Sequence, residues 1–316
     1  MGDEAGSLSE RVRAACAWVA EGASSVRIAE AELERYARAI GDGSSDDPAA
    51  GLPVHELPAE RRREERAALL LCLDAINFGS GWWPTIRKRP GMSGYDTIAS
   101  GLAERFRTEG GWSAHELLEL SPAALAGVFG QDIDHPLMAL YADALKDVGE
   151  HVAGEYDGSF GAVVDAAAGS APALAERVAA WEAFADTSEY RGEAVPFFKR
   201  AQLVAADAQR TGVARLDGLE RLTAFADNLV PHVLRVDGIL HLAPALARAI
   251  DAGRLLEHGS APEVELRACA VHAIERLVDR LDRQLCAAQV DSILWNRGRG
   301  AAYKAVPRPR CRTTAY

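Results

Sequence analysis

Two short segments carry the residues best suited to chemistry. Residues 222–234 are apolar except for a polar cluster at Asp227, Asn228 and His232. Phe225, Ala226, Leu229 and Val230 surround Asp227 in sequence, so its carboxylate is expected to be half buried. A half-buried carboxylate needs a partner or a task. Taken alone it suits a helix N-cap, with an apolar helical period following it. In the second segment, Pro196 opens a helix whose first turn holds Lys199 and Arg200. Two cations there oppose the helix dipole unless something anionic is near. A third stretch, residues 77–84, ends a long helix with Gly79, Gly81 and Pro84 and presents Trp82 and Trp83. Flat aromatic surface beside exposed amides suits a planar heterocycle. Carboxylate, lysine and aromatic loop together suit cleavage of a glycosidic bond. The carboxylate can stabilise an oxocarbenium-like transition state and orient a water. That chemistry requires no metal and no organic cofactor, and none is expected.

The elements that must position these residues read as helices. Apolar residues recur at helical spacing over residues 9–20, 27–40, 60–76, 136–152, 158–168, 171–185 and 260–286. Ser113 with Glu116 and Ser260 with Glu263 mark capping boxes, and Ser121 precedes a proline at the first helical position. Residues 41–51, rich in Gly, Ser, Asp and Pro, read as a loop, and residues 52–58, bracketed by prolines, as extended. Residues 238–252 read as helices broken at Pro244. No strand-like alternation of any length appears, so the expected fold class is all-α. The expected division is residues 1–50 as N-terminal helices and loop, 51–296 as the catalytic domain, and 297–316 as a loosely pinned tail rich in Gly, Pro and Arg.

Composition narrows the function. The chain has 316 residues, 48% apolar and 26% charged, as a globular protein does. No apolar run approaches the ~18–20 residues that span a bilayer, and no membrane partner is expected. The opening residues do not read as a signal peptide. The five cysteines stand singly with no CxxC pair, which suits a reducing cytoplasm. A net charge of −11 argues against a duplex nucleic-acid partner. The basic runs at 61–63, 87–89 and 308–312 read as solvated faces. A small anionic ligand, needing one or two placed cations, fits. Motifs such as GxSxG, HExxH, a Walker loop or GxGxxG after a strand are absent.

These segments resemble one family, the queuosine salvage proteins. The likeness rests on Phe197-Phe198-Lys199-Arg200-Ala201-Gln202-Leu203-Val204-Ala205-Ala206-Asp207, on Leu222-Thr223-Ala224-Phe225-Ala226-Asp227 leading into Val230-Pro231, and on Gly259-Ser260 followed by Glu263-Val264-Glu265-Leu266-Arg267-Ala268. Leu73-Asp74-Ala75-Ile76-Asn77-Phe78 and Leu294-Trp295 extend it, in order, over roughly residues 50–296. The resemblance implies an all-helical fold akin to the helix-hairpin-helix DNA glycosylases. It implies hydrolysis of queuosine 5′-monophosphate, a small-molecule nucleotide, with release of queuine for transfer-RNA modification. The family's aspartate falls on Asp227 and its basic residue on Lys199. Its base pocket falls on Asn77, Phe78 and Gly79, with His55 on the preceding extended segment. Trp82 or Trp83 would stack on the base, and Phe198, Asn228 and His232 complete the expected substrate-binding set. The family commonly has tyrosine and arginine after its aspartate and glutamine after the proline, where this chain has Asn228, Leu229 and His232. Those departures bear on substrate identity more than on reaction class. The rival functions are a glycosidase for another modified nucleoside or nucleotide, a non-catalytic base binder, and a DNA-lesion glycosylase, which the acidic charge disfavours.

Overall fold

The computed structural model describes residues 6–41 and 63–316. The proline-bracketed segment and His55 therefore lie outside the described residues. Helices dominate, and they pack around two apolar clusters. Helix Arg63–Ala75 is the axis of the first, buried without a break from Ala67 to Ala75. It touches Pro136–Glu155, Phe160–Asp165 and Lys199–Arg210 on different sides. A helix covered all round has no solvent face to keep polar, which explains its run of leucines. Helix Ala261–Arg280 is the axis of the second, packed against Leu8–Gly22, Glu30–Gly41 and Leu229–Val236.

The expectation of an all-α fold needs correction. Two antiparallel pairs of short strands join the helices: Val26–Ile28 with Leu240–Leu242, and Thr187–Tyr190 with Glu193–Pro196. Strands of three or four residues are too short to register as alternation. The second pair turns at Arg191 and Gly192, whose φ values of 52° and 84° suit a tight two-residue hairpin. Pro196 thus belongs to a strand, and the helix it was expected to open starts at Lys199.

The C-terminal segment is also far better held than a loose tail. Tyr316 and Cys311 are buried, the Leu256 amide donates to the Arg310 carbonyl at 2.8 Å, and the Tyr316 hydroxyl donates to Glu263 at 2.8 Å. Gly, Pro and Arg content misled here because, beyond the single turn of helix Ala301–Lys304, the segment is fixed by its backbone groups and one aromatic ring. Gly81 lies under it. A Cβ on Gly81 would stand 2.6 Å from the Cys311 carbonyl carbon and 2.8 Å from the Arg312 nitrogen. Backbone cannot yield as a side chain tip can. Gly81→Ala is expected to cost about 1–3 kcal/mol and to free the C-terminal segment, read as a lower melting temperature and faster proteolytic loss of residues 305–316.

Candidate active site

Asp227 ends an extended run, residues 222–227, that threads between the two apolar clusters. Leu222 and Phe225 face the first cluster and Ala224 and Ala226 the second. Side chains from flanking elements satisfy its backbone. The Thr223 amide donates to Gln202 at 2.8 Å, the Phe225 amide to Asp291 at 3.0 Å, and the Ala226 carbonyl accepts from Arg267 at 2.9 Å. The helix Leu229–Val236 then begins. Asp227 Oδ1 accepts from the Leu229 and Val230 amides at 2.8 and 2.9 Å, so the capping role is real. Both bonds fall on one oxygen. Among the described residues Oδ2 accepts no hydrogen bond, and the carboxylate is oriented but not saturated.

Lys199 opens the helix Lys199–Arg210 and is buried. Its amide donates to Asp186 Oδ2 at 3.1 Å, and its Nζ donates to the Asn77 carbonyl at 3.0 Å. Arg200 reaches the Ala75 carbonyl and lies over the Phe78 ring at 5.0 Å. Both cations, awkward at the start of their own helix, thus meet carbonyls at the end of Arg63–Ala75, where a helix favours positive charge. Burial lowers Lys199 to about 8, and Asp227 is the chief opposing charge. Burial raises Asp227 above the usual carboxylate range, and the Lys199 ammonium is the main force holding it down. The two groups therefore stabilise each other's charged forms.

One buried ion pair ties these two residues together. Arg267 Nη2 donates to both oxygens of Asp186 at 2.7 and 2.9 Å, with both side chains 1% exposed. Asp186 holds the Lys199 amide, while Arg267 holds the carbonyl next to Asp227. The Arg267 guanidinium is sandwiched by Phe197 at 3.9 Å and Tyr316 at 4.6 Å.

Two further carboxylates, Asp291 and Asp74, act on Lys199 and were not singled out from the sequence as site residues. Asp291 is buried and raised well above its ordinary range, first by burial and then by Asp227. Asp74 is fully buried and is pushed well up by burial and by the Asp207 carboxylate, against the Lys199 ammonium and the Asn77 side chain. A carboxylate inside an otherwise apolar helical run, as in Leu73-Asp74-Ala75 or Val290-Asp291, was the available signal. The Tyr95 hydroxyl is near enough to Asp207 and Asp74 for both to raise its pKa, after burial. No group of three or more His, Cys, Asp or Glu among the described residues is placed to hold a metal.

The other candidate residues divide. Asn77 is half-buried beside Lys199, and the Gly79 amide donates to the Tyr316 carbonyl at 3.2 Å while its φ of 120° turns the loop. Phe78 is fully buried in the first apolar cluster, and Trp82 is buried with it. Trp83 is the partly exposed member of the pair. It forms a row with Tyr95 at 6.4 Å and, beyond it, Trp295 at 5.8 Å from Tyr95. Trp295 stands one helical turn from Asp291, so the row runs along the carboxylate side of the helix Ala287–Gly298. Phe198 is half-buried at the helix cap with φ 49°. Asn228 and His232 point to the C-terminal segment: Asn228 donates to the Pro309 carbonyl at 2.7 Å, and His232 Nε2 lies 3.0 Å from the Tyr303 carbonyl. A separate surface cavity of about 710 Å³, beside Val26–Ile28 and His241, includes none of these residues.

Comparison with known proteins agrees with the resemblance drawn from the motifs. The pattern of the family described as queuosine salvage protein matches residues 57–316. A Sphaerobacter thermophilus protein named queuosine 5′-phosphate N-glycosylase/hydrolase is 35% identical over 80% of this chain and 82% of its own length. Proteins of the same name from Dictyostelium discoideum and Nematostella vectensis are 28% and 27% identical, over 80% and 71% of this chain and 79% and 68% of theirs. The chain belongs to the queuosine salvage protein family.

Proposed function

We propose that the protein hydrolyses the N-glycosidic bond of queuosine 5′-monophosphate, yielding queuine and ribose 5-phosphate. The observation that carries this reading is the Asp227 carboxylate, fixed through one oxygen by two amides, its other oxygen accepting no hydrogen bond among the described residues and the Lys199 ammonium the main charge acting on it. The names borne by the relatives supply the substrate. As the C1′–N bond breaks, the base leaves with the bonding electron pair and takes a proton. Positive charge grows on the ribose carbon and water adds there. Asp227 faces that carbon as a carboxylate, and Lys199 keeps it ionised and binds the ribose side of the substrate. Asp291, pushed toward its neutral form, is the protonated partner, because two neighbouring carboxylates do not readily share negative charge. The base stacks on the row of Trp83, Tyr95 and Trp295, beside Asn77 and Gly79. Phe198 borders this pocket, and Asn228 and His232 contribute by holding its C-terminal wall.

The same reading includes a kinship with the helix-hairpin-helix DNA glycosylases, a cytoplasmic setting, and no duplex partner. The predominance of helix, the unpaired cysteines and the net charge of −11 support these. No helix among the described residues is long and apolar enough to cross a membrane.

Incubation with queuosine 5′-monophosphate, followed by mass spectrometry, is expected to show free queuine. Asp227→Asn keeps an oxygen acceptor for the two amides, so its circular dichroism is expected to match the parent while turnover falls about 10³-fold or more. Intact nucleotide retained without release would make the protein a binder. Turnover of other nucleotides alone would change the substrate.

The pKa directions set the pH profile. Activity requires Asp227 ionised, so it rises as pH passes that group's elevated pKa. It requires Lys199 charged, so it falls as pH rises through about 8. Lys199→Arg, which stays charged, is expected to move the alkaline limb of kcat/KM upward even though its maximum drops.

A further inference from the structure

The basic run at residues 308–312 read as a solvated face in the sequence, and the fold gives part of it a different position. Asn228, directly after Asp227, donates to the Pro309 carbonyl at 2.7 Å, and Arg235 donates to the Pro307 carbonyl at 3.3 Å. On the far side, the Leu256 amide donates to the Arg310 carbonyl at 2.8 Å. Residues 307–310 are thereby laid across the rim of the site, next to Asp227. Arg308 and Arg310 are both only partly exposed, and neither has an ion pair or side-chain hydrogen bond among the described residues. Arg310 Nε is shielded from solvent with nothing to donate to.

Many of the chain's other arginines have a carboxylate in reach: Arg13 has Glu275, Arg235 has Asp251, Arg267 has Asp186 and Arg299 has Asp96. In a protein with an excess of acids, two adjacent guanidiniums lacking any such partner are conspicuous. They repel each other, and the carboxylate acting on Arg308 is Asp227 itself. Arg308 cannot serve Asp227 as Lys199 does without leaving the neighbouring positive charge unbalanced. A dianion at this rim would balance both. Guanidinium groups suit phosphate because each offers parallel N–H donors to two oxygens.

We propose that Arg308, seconded by Arg310, binds the 5′-phosphate of the nucleotide whose glycosidic bond faces Asp227, and so sets the preference for nucleotide over nucleoside. This rests on the proposed reaction, and it explains what Asn228 and His232 do. They hold the segment that carries Arg308, through the Pro309 and Tyr303 carbonyls. Arg308 is then a binding residue, and Asn228 and His232 are positioning residues acting through it.

The test compares kcat/KM for queuosine 5′-monophosphate and queuosine in the parent protein, Arg308→Gln and Arg308→Lys. Arg308→Gln is expected to shift the ratio toward the nucleoside by about 10–100-fold, chiefly through KM, with Arg308→Lys recovering part of it. A ratio unchanged in Arg308→Gln, or equal losses on both substrates, overturns the proposal. Inorganic phosphate provides an arm independent of turnover. It is expected to raise the melting temperature of the parent and to do so much less for Arg308→Gln. If the parent cleaves neither substrate, the proposed reaction fails, and this arm still decides the anion site: equal stabilisation of parent and variant, or none in either, rejects it.

Discussion

The buried pair of Arg267 and Asp186 is the constraint from which the site follows. Two charges taken out of water lose more solvation than their attraction readily returns, unless geometry is good and remaining donors are used. Here the guanidinium has two aromatic faces and donates to a carboxylate and a backbone carbonyl. The carboxylate accepts from a helix amide in turn. That arrangement joins the ends of two elements from different apolar clusters, the extended run before Asp227 and the helix that begins at Lys199. Breaking either partner would leave a bare charge at 1% exposure, so the frame has little freedom to relax. A carboxylate and an ammonium held this way are oriented before any substrate arrives.

The electrostatics of the centre follow from where helices start and stop. Lys199 and Arg200 lie at the wrong end of their own helix and at the right end of Arg63–Ala75. The buried Asp74 is in that same last turn, where the helix alone would disfavour it, and the two cations compensate. Four carboxylates and two cations thus occupy a small, largely buried volume. Burial raises Asp227, Asp291 and Asp74 and lowers Lys199 and Arg200, and the opposite charges beside each group resist that shift. Perturbed groups gathered in this manner mark functional sites more often than structural ones.

Much of this was legible in the sequence, for physical reasons. Long helices announce themselves by period, as Arg63–Ala75 and Ala261–Arg280 do, although the second period read on to residue 286, past the helix end. Asp227 stood out as a carboxylate among apolar neighbours, and its capping reading is visible in the two amides that donate to its Oδ1. The short strands were invisible because three or four residues give no measurable alternation. Trp82 and Trp83 could not be told apart by sequence, since adjacent residues on a turn differ in exposure only through the fold. The C-terminal segment was misjudged because its order comes from carbonyls gripped by Asn228, His232 and Arg235. Those are tertiary contacts, and residue type alone does not reveal them. Phe78, expected at the base, instead supports Arg200 from within the core.

The central claim is that Asp227 and Lys199 act as one charged unit in a rigid frame. A double-mutant cycle on kcat/KM for queuosine 5′-monophosphate, using Asp227→Asn, Lys199→Met and the two together, tests it most directly. The account predicts strong non-additivity, with the double variant scarcely slower than Asp227→Asn alone. Losses that simply multiply would contradict it, and would mean that the two residues serve the reaction separately.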